Sequence, residues 1–214
     1  MKPITKEESA YSAIRGAIIA GELVPGQAVS IRDLAKRFDL GRTPITDAMK
    51  HLALEGWLET AAGVGTRVAS LNISDRYEYM QVRGALEALS VRLCAQQAQA
   101  ETLLDFEHCM AVEQLAIESG DLVRAIDADI EFHRLCAQRS GNHFLNQHYG
   151  RLLSQDELVF FRNITNAEIR LQSHRQHEEI VRCIRSGDPD AAEQASRRHT
   201  ETILERLRHE MPQA

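Results

Sequence analysis

The stretch from Val29 to Gly56 constrains this chain of 214 residues more than any other. Ser30 can cap a short helix over 31–38, because its hydroxyl oxygen accepts from backbone N–H groups two or three residues on. Asp39-Leu40-Gly41 reads as a turn, with Gly41 the residue that takes a positive φ cheaply. Thr43 then reads as the N-cap of a second helix, and Pro44 as its first residue, where a missing N–H costs nothing. That helix runs over 45–55 and stops at Gly56. Ile45, Met49 and Leu52 make an apolar stripe at helical spacing, while Arg42, Thr43, Thr46 and Lys50 occupy the helix start and the other face. A helix N-terminus carrying Arg and Thr suits phosphates and base edges. Two strands follow, 57–60 and 66–69, joined by a glycine-bearing loop. Helix, turn, helix and hairpin make a winged helix-turn-helix. The same spacing also fits a small helical domain with no nucleic-acid role.

Before this stretch, Thr5 and Glu8 fit a capping box opening a helix that runs to about Ala20. After it, 71–74 reads as a linker, and Ser74 or Asp75 as the next cap. From there only helical periodicity appears, over roughly 75–98, 101–118, 121–140, 142–163, 166–186 and 189–210. The breaks carry Gly, Ser, Asn, Asp and Pro, which stop one helix and cap the next. The expected fold is therefore mainly α. A winged helix-turn-helix over 1–70 precedes an all-helical antiparallel bundle over 75–214.

Composition narrows the function classes. The chain is 5% aromatic, too little for a platform that stacks single-stranded bases. No stretch approaches the roughly 20 apolar residues of a membrane span, and the N-terminus lacks a signal-peptide apolar core, so a cytoplasmic protein without membrane contact is expected. The net charge of −6 looks wrong for a DNA binder until it is divided. Residues 1–69 hold nine Lys/Arg against eight Asp/Glu, so the acidic excess belongs to the second half. Arg32, Lys36, Arg37, Arg42 and Lys50 crowd one short stretch, and binding through phosphate neutralisation should weaken steeply with salt. Cys94, Cys109, Cys136 and Cys183 form no C-x-x-C pair and read as small core hydrophobes, with a redox-sensing thiol as the rarer alternative.

Eight of the nine histidines lie beyond residue 70. Asp129 and His133 are four apart in one helix and share a face. His177 and His199 each lie 11 residues from Asp188, the centre of the turn joining the last two helices, so in a hairpin they stand at one height. Three imidazoles and a carboxylate can hold a divalent metal with open coordination positions. Taken singly, each histidine also fits a surface or hydrogen-bonded role, and spacing does not separate His177 from His174.

Several runs carry a resemblance. Residues 15–26, Ser30 to Ala35, Gly41 to Ile45 and Leu54 to Leu58 closely resemble the DNA-binding domain of GntR-type bacterial transcription regulators. The resemblance implies DNA contacts from Arg32, Arg42, Thr43 and the wing glycine Gly65. Thr46 stands where that family usually has a second Arg, and a bidentate Arg–guanine contact contributes about 1–3 kcal/mol of discrimination, so a shifted operator is expected. Val82 to Glu87, Asp129 to His133, Ser140-Gly141-Asn142 and His177 to Asp188 look like the FCD effector domain of the FadR subfamily. The helix count resembles its shorter, VanR-like branch. The resemblance implies Asp129, His133, His177 and His199 as metal ligands, and Arg83 reaching into an effector pocket. Arg83 could instead simply pair with Glu87 on its own helix.

Together these readings predict a transcription regulator, a repressor by family habit, that binds a pseudo-palindromic double-stranded operator as a homodimer. A small organic acid would modulate it at a divalent metal, with Zn²⁺, Ni²⁺, Mn²⁺ or Fe²⁺ all admitted by the donor set. Two rivals are a metal-ion sensor and a helical metal-dependent hydrolase or lyase, the latter with Glu131 or Glu178 near the ligands in sequence.

Overall fold

The protein is described from a computed structural model, which covers residues 5–61, 63, 65–70, 72–153 and 166–211. The chain divides into two compact units, Met1–Ser70 and Leu71–Ala214.

The first unit contains α1 (Lys6–Ile19), β1 (Ala28–Val29), α2 (Ile31–Phe38), α3 (Arg42–Leu54), β2 (Leu58–Ala61) and β3 (Gly65–Val68). Thr5 and Glu8 form the expected capping box on α1, and the Ser30 hydroxyl accepts from the Asp33 N–H at the start of α2. Ile14, Ile18, Leu34, Ile45, Leu52 and Trp57 are buried and form the core of this small unit. β2 and β3 pair antiparallel with Leu58 opposite Val68 and Ala61 opposite Gly65. β1 pairs on the other edge of β3, giving a three-stranded sheet in the order β1-β3-β2. That short third strand was not expected, since two residues carry no readable alternation.

The turn between α2 and α3 differs from expectation in two respects. Asp39, not Gly41, is left-handed, at φ 51 and ψ 45, and its N–H closes α2 on the Ala35 carbonyl. Asp is among the few non-glycine residues that visit this region routinely. Gly41 is extended at φ −64 and ψ 156, and it is the N-cap of α3 in place of Thr43. Pro44 is therefore the third residue of the helix, still within the first turn, where N–H groups have no intrahelical acceptor.

The second unit is built of α4 (Ile73–Gln96), α5 (Ala100–Ser119), α6 (Leu122–Arg139), α7 (His143–Leu153), α8 (Ala167–Arg185) and α9 (Pro189–Glu210). Asn72 caps α4, ahead of the Ser74 or Asp75 expected from sequence. The expected helix over 142–163 is described as far as Leu153, and its remainder lies outside the described residues. Asn166, Asp121 and Asp188 cap α8, α6 and α9 with their side chains. Val91, Phe106, Phe132, Cys136, Ile180 and Ile184 anchor the main core. α4 lies very close to α9: a Cβ on Gly84 would stand 2.3 Å from the Thr200 Cγ2. This contact sets the close approach of α4 to α9. Among the described residues no helix is long and apolar enough to cross a membrane.

Candidate metal centre and nucleic-acid interface

Inside the second unit, α6 carries Asp129 and His133 one turn apart, α8 carries His177, and α9 carries His199. Ligand atoms of the three histidines all lie within 4.8 Å of one another. The His177 and His199 Nε2 atoms are 3.4 Å apart. Their equal spacing from the turn at Asp188 has become equal height in the hairpin. Two imidazole nitrogens bound to one tetrahedral zinc at the usual bond length are also about 3.4 Å apart. The Asp129 carboxylate oxygens stand 3.7 Å from the His133 Nε2 and 3.9 Å from the His177 Nε2. The histidines are buried, whereas Asp129 is partly exposed.

Behind this donor set lies a layer of residues that sequence reasoning missed. Glu113 on α5 approaches the His177 Nδ1 at 3.4 Å and the His174 Nδ1 at 2.8 Å. The Gln176 Oε1 stands 2.9 Å from the His199 Nδ1. Glu87 on α4 approaches the His133 Nδ1 at 3.3 Å, an ion-pair distance, but not along a hydrogen-bond direction, so this buried nitrogen lacks a hydrogen-bond partner among the described residues. Phe132 stacks on the His177 ring at 4.2 Å and fixes its plane. Metal-ligating histidines characteristically offer the second ring nitrogen to such partners. His174, which spacing could not separate from His177, belongs to this outer layer through its bond to Glu113. The sequence held one weak signal for Glu87, four residues after Arg83, and none for Glu113.

The electrostatics suit a cation. Burial alone would raise the Glu87 carboxyl, but His133 and Arg83 hold it well below the usual range. Burial opposes ionisation of Glu113 too, yet His177 and His174 hold it down at about 2. Burial, reinforced by Arg83, pushes His133 down to about 4. Burial and His177 likewise push His199 well below its ordinary value. His177 moves the other way, because Glu113 outweighs its burial. Neutral imidazoles are the ligating form. Glu87, Glu113 and Asp129 face one deeply buried guanidinium, Arg83, whose terminal nitrogen lies 3.5 Å from Glu87. That leaves an excess of negative charge in the cluster, which a proton on His177 offsets only in part, and buried charge without compensation is costly. A divalent cation would supply the compensation, so the residues present fit a metal.

A cavity of about 70 Å³ opens beside the cluster. Arg83, Asp129, His133 and His199 line it, together with Arg170, Arg206 and an isoleucine-rich wall. Arg83 lines the cavity and also approaches Glu87. Glu131 pairs with Arg134 and is not among the residues lining the cavity. Glu178 stands 3.9 Å from the His174 Nε2, on the outer layer.

Cys94, Cys109 and Cys136 are buried, and Cys183 is partly buried. Burial pushes the Cys94 and Cys109 thiols up to about 12 and Cys136 well above its ordinary value, so their nucleophilic thiolate is suppressed.

In the first unit, Arg32, Arg42, Thr43, Lys50 and Gly65 are exposed. Arg32, Lys36 and Arg42 have no ion-pair partner among the described residues, whereas Lys50 pairs with Asp47 and Arg37 with Glu22. The N-cap of α3 makes no side-chain cap bond, Pro44 has no N–H and the Ile45 N–H bonds to the Gly41 carbonyl, so the Arg42 and Thr43 N–H groups are the ones that suit an anion. The Thr46 hydroxyl donates to the Arg42 carbonyl at 2.8 Å, which turns it back onto its own helix. Gly65 sits at φ 102, a conformation that side chains strain.

Residues 6–68 match the family described as bacterial regulatory proteins, gntR family, and residues 78–202 match the FCD domain. The chain belongs to the GntR family of transcription regulators, in the group that carries an FCD domain. The GntR regulator is 30% identical over 207 residues to the HTH-type transcriptional regulator YdhC of Bacillus subtilis, covering 93% of this chain and 89% of that protein. It is 23% identical over 198 residues to the HTH-type transcriptional repressor RspR of Escherichia coli, covering 92% and 87%. Its fold is similar to that of a GntR transcriptional regulator from Rhodococcus sp. RHA1, with a TM-score of 0.76, 18% identity, and 97% and 99% of the two chains covered. It is a DNA-binding transcription regulator and not an enzyme.

Proposed function

We propose that this GntR regulator is a metal-dependent sensor of a small organic acid, and that it represses transcription from a pseudo-palindromic operator as a homodimer. Asp129, His133, His177 and His199 hold one divalent metal, with Zn²⁺, Ni²⁺, Mn²⁺ and Fe²⁺ as the admitted ions. The observation that carries this reading is the convergence of four donor residues from three helices at the edge of a cavity that Arg83 also lines. When bound, the metal supplies a Lewis-acidic position for one carboxylate oxygen. Arg83 orients the acid through its planar fork, and Glu87 holds that guanidinium in place. The isoleucine-rich wall excludes water from the rest of the acid.

At the other end of the chain, Arg32, Arg42, Thr43, Thr46, Lys50 and Gly65 form the DNA-contacting set. Arg32 and Arg42 are exposed with no ion pair to break among the described residues, and α3 offers its N-terminus. The acid changes operator affinity only in so far as it binds the two states of the dimer unequally. The test is operator affinity of metal-loaded protein with and without a panel of small carboxylates. A shift of about 5–150-fold with one of them is expected. A response to the ion alone, unaltered by every carboxylate, would make the protein a metal sensor instead.

A further inference from the structure

The Glu87 carboxylate is wholly buried where four helices meet: α4 carries it, α6 brings His133, α7 brings Tyr149 and α9 brings Ser196. One oxygen, Oε2, accepts from the Tyr149 hydroxyl at 3.0 Å. The same oxygen stands 3.3 Å from the His133 Nδ1 and 3.5 Å from an Arg83 nitrogen. The Ser196 hydroxyl donates to the other oxygen, Oε1, at 3.4 Å. The Tyr149 ring is wholly buried in a cluster with Ala137 and Leu153, and Leu86 packs against it. A phenylalanine ring would fill that apolar space as well. A buried hydroxyl costs free energy unless it is bonded, so what Tyr149 bonds explains its place there. A second hydroxyl also bridges α4 and α7. Tyr79, two turns before Glu87 on α4, donates to the Leu152 carbonyl at 2.9 Å.

In a neutral imidazole one ring nitrogen donates and the other accepts, and the partner of one decides the state of the other. The His133 Nε2 faces the donor set, 3.7 Å from the Asp129 carboxylate. Its Nδ1 is buried without a hydrogen-bond partner among the described residues, and a small turn of the ring converts its approach to Glu87 into a bond. Building on the proposed metal site, we infer that Tyr149 is a positioning residue for it. The Tyr149 hydroxyl holds the Glu87 carboxylate so that Oε2 takes the hydrogen of the His133 Nδ1, which leaves the Nε2 lone pair for the ion. Arg83, one turn earlier on the same helix, competes for that oxygen, and Tyr149 sets the balance. α7 supplies none of the proposed ligands, yet through this one bond it governs how His133 presents its nitrogen.

The test uses the full chain with two readouts, each variant verified as folded by circular dichroism. The first is the tautomer of His133 in metal-free protein labelled with ¹⁵N-histidine, from long-range ¹H–¹⁵N correlation spectra assigned through His133→Asn. The second is Zn²⁺ affinity against a chromogenic chelator. The parent is expected to carry hydrogen on the His133 Nδ1. In Tyr149→Phe that tautomer should give way to a mixture, and Zn²⁺ affinity should fall about three- to tenfold, as for the loss of one hydrogen bond. Glu87→Gln, which changes the direct partner of His133, should lose about 10–100-fold. Tyr79→Phe removes the other hydroxyl between the same two helices and should match the parent in both readouts. Hydrogen on the His133 Nε2 in the parent, no change in Tyr149→Phe, or equal losses in Tyr149→Phe and Tyr79→Phe would overturn the inference and leave Tyr149 as a tie between helices. A parent that binds no Zn²⁺ would overturn the metal reading, while the His133 tautomer in Tyr149→Phe would still decide whether Tyr149 positions the ring.

Discussion

The His177 and His199 Nε2 atoms face each other at 3.4 Å across the α8–α9 hairpin, and each ring turns its Nδ1 toward an acceptor, Glu113 for His177 and Gln176 for His199. The rings are held edge to face with their centroids 4.7 Å apart. Both imidazoles are therefore aimed at one point, which would lower the entropy lost on binding an ion.

That aiming depends on the outer layer. Glu113→Gln keeps the shape but removes the charge that faces both His177 and His174. Metal affinity is expected to fall about 10–100-fold, as for other partners of ligating histidines. Competition against a chromogenic chelator measures it, with circular dichroism to verify the fold. An affinity equal to the parent's would mean that Glu113 has no role in positioning His177.

The α4–α9 contact should be intolerant of a single methyl group. Gly84→Ala directs a Cβ into Thr200, and neither helix can yield without moving the cluster it carries. A loss of about 1–3 kcal/mol of stability is expected, typical of overpacking. Urea denaturation checks this, and the double variant Gly84→Ala with Thr200→Ser should recover part of the loss.

Arg32 and Arg42 are expected to act through phosphates and base edges. Replacing a phosphate-contacting arginine by Ala should lower the slope of log affinity against log salt by about one, while replacing a base-reading one should cost about 1–3 kcal/mol only on the preferred site. Anisotropy titrations over a salt series on specific and random duplexes separate the two roles. The same reasoning applies to Thr46, whose hydroxyl is bonded to Arg42. A binding-site selection should return an operator that differs from the family consensus at the base a second arginine would read.

Cysteine reactivity offers a simple check on the core. A thiol near 12 is about one part in ten thousand thiolate at pH 8, so Cys94 and Cys109 should resist iodoacetamide in the native protein, as should Cys136. Mass spectrometry after brief labelling should find modification at Cys183, the one cysteine that is only partly buried. Denatured protein should label at all four.

Features set by local chemistry were legible in the sequence. Ser30, Thr5 and the glycine-marked hairpin act within a few residues, and the periodic apolar positions of the second half leave little choice but helices. The pairing of His177 with His199 was legible for a different reason: a tight turn converts equal sequence distance into equal height. Glu113 was not legible, because its approach to His177 depends on how α5 packs against α8, and no short spacing encodes that. The turn at Asp39 was misread because glycine and aspartate compete for the left-handed position. Closing α2 required that position two residues before the glycine.

In the proposed reading, one divalent ion is bound by Asp129, His133, His177 and His199 inside the second unit. Its most direct test is the metal content of the purified protein, by plasma mass spectrometry, beside His133→Ala, His177→Ala and His199→Ala variants verified as folded. Close to one equivalent per chain is expected in the parent, with a large loss in each variant. No bound metal in the parent after incubation with divalent ions, or an undiminished content in all three variants, would contradict it.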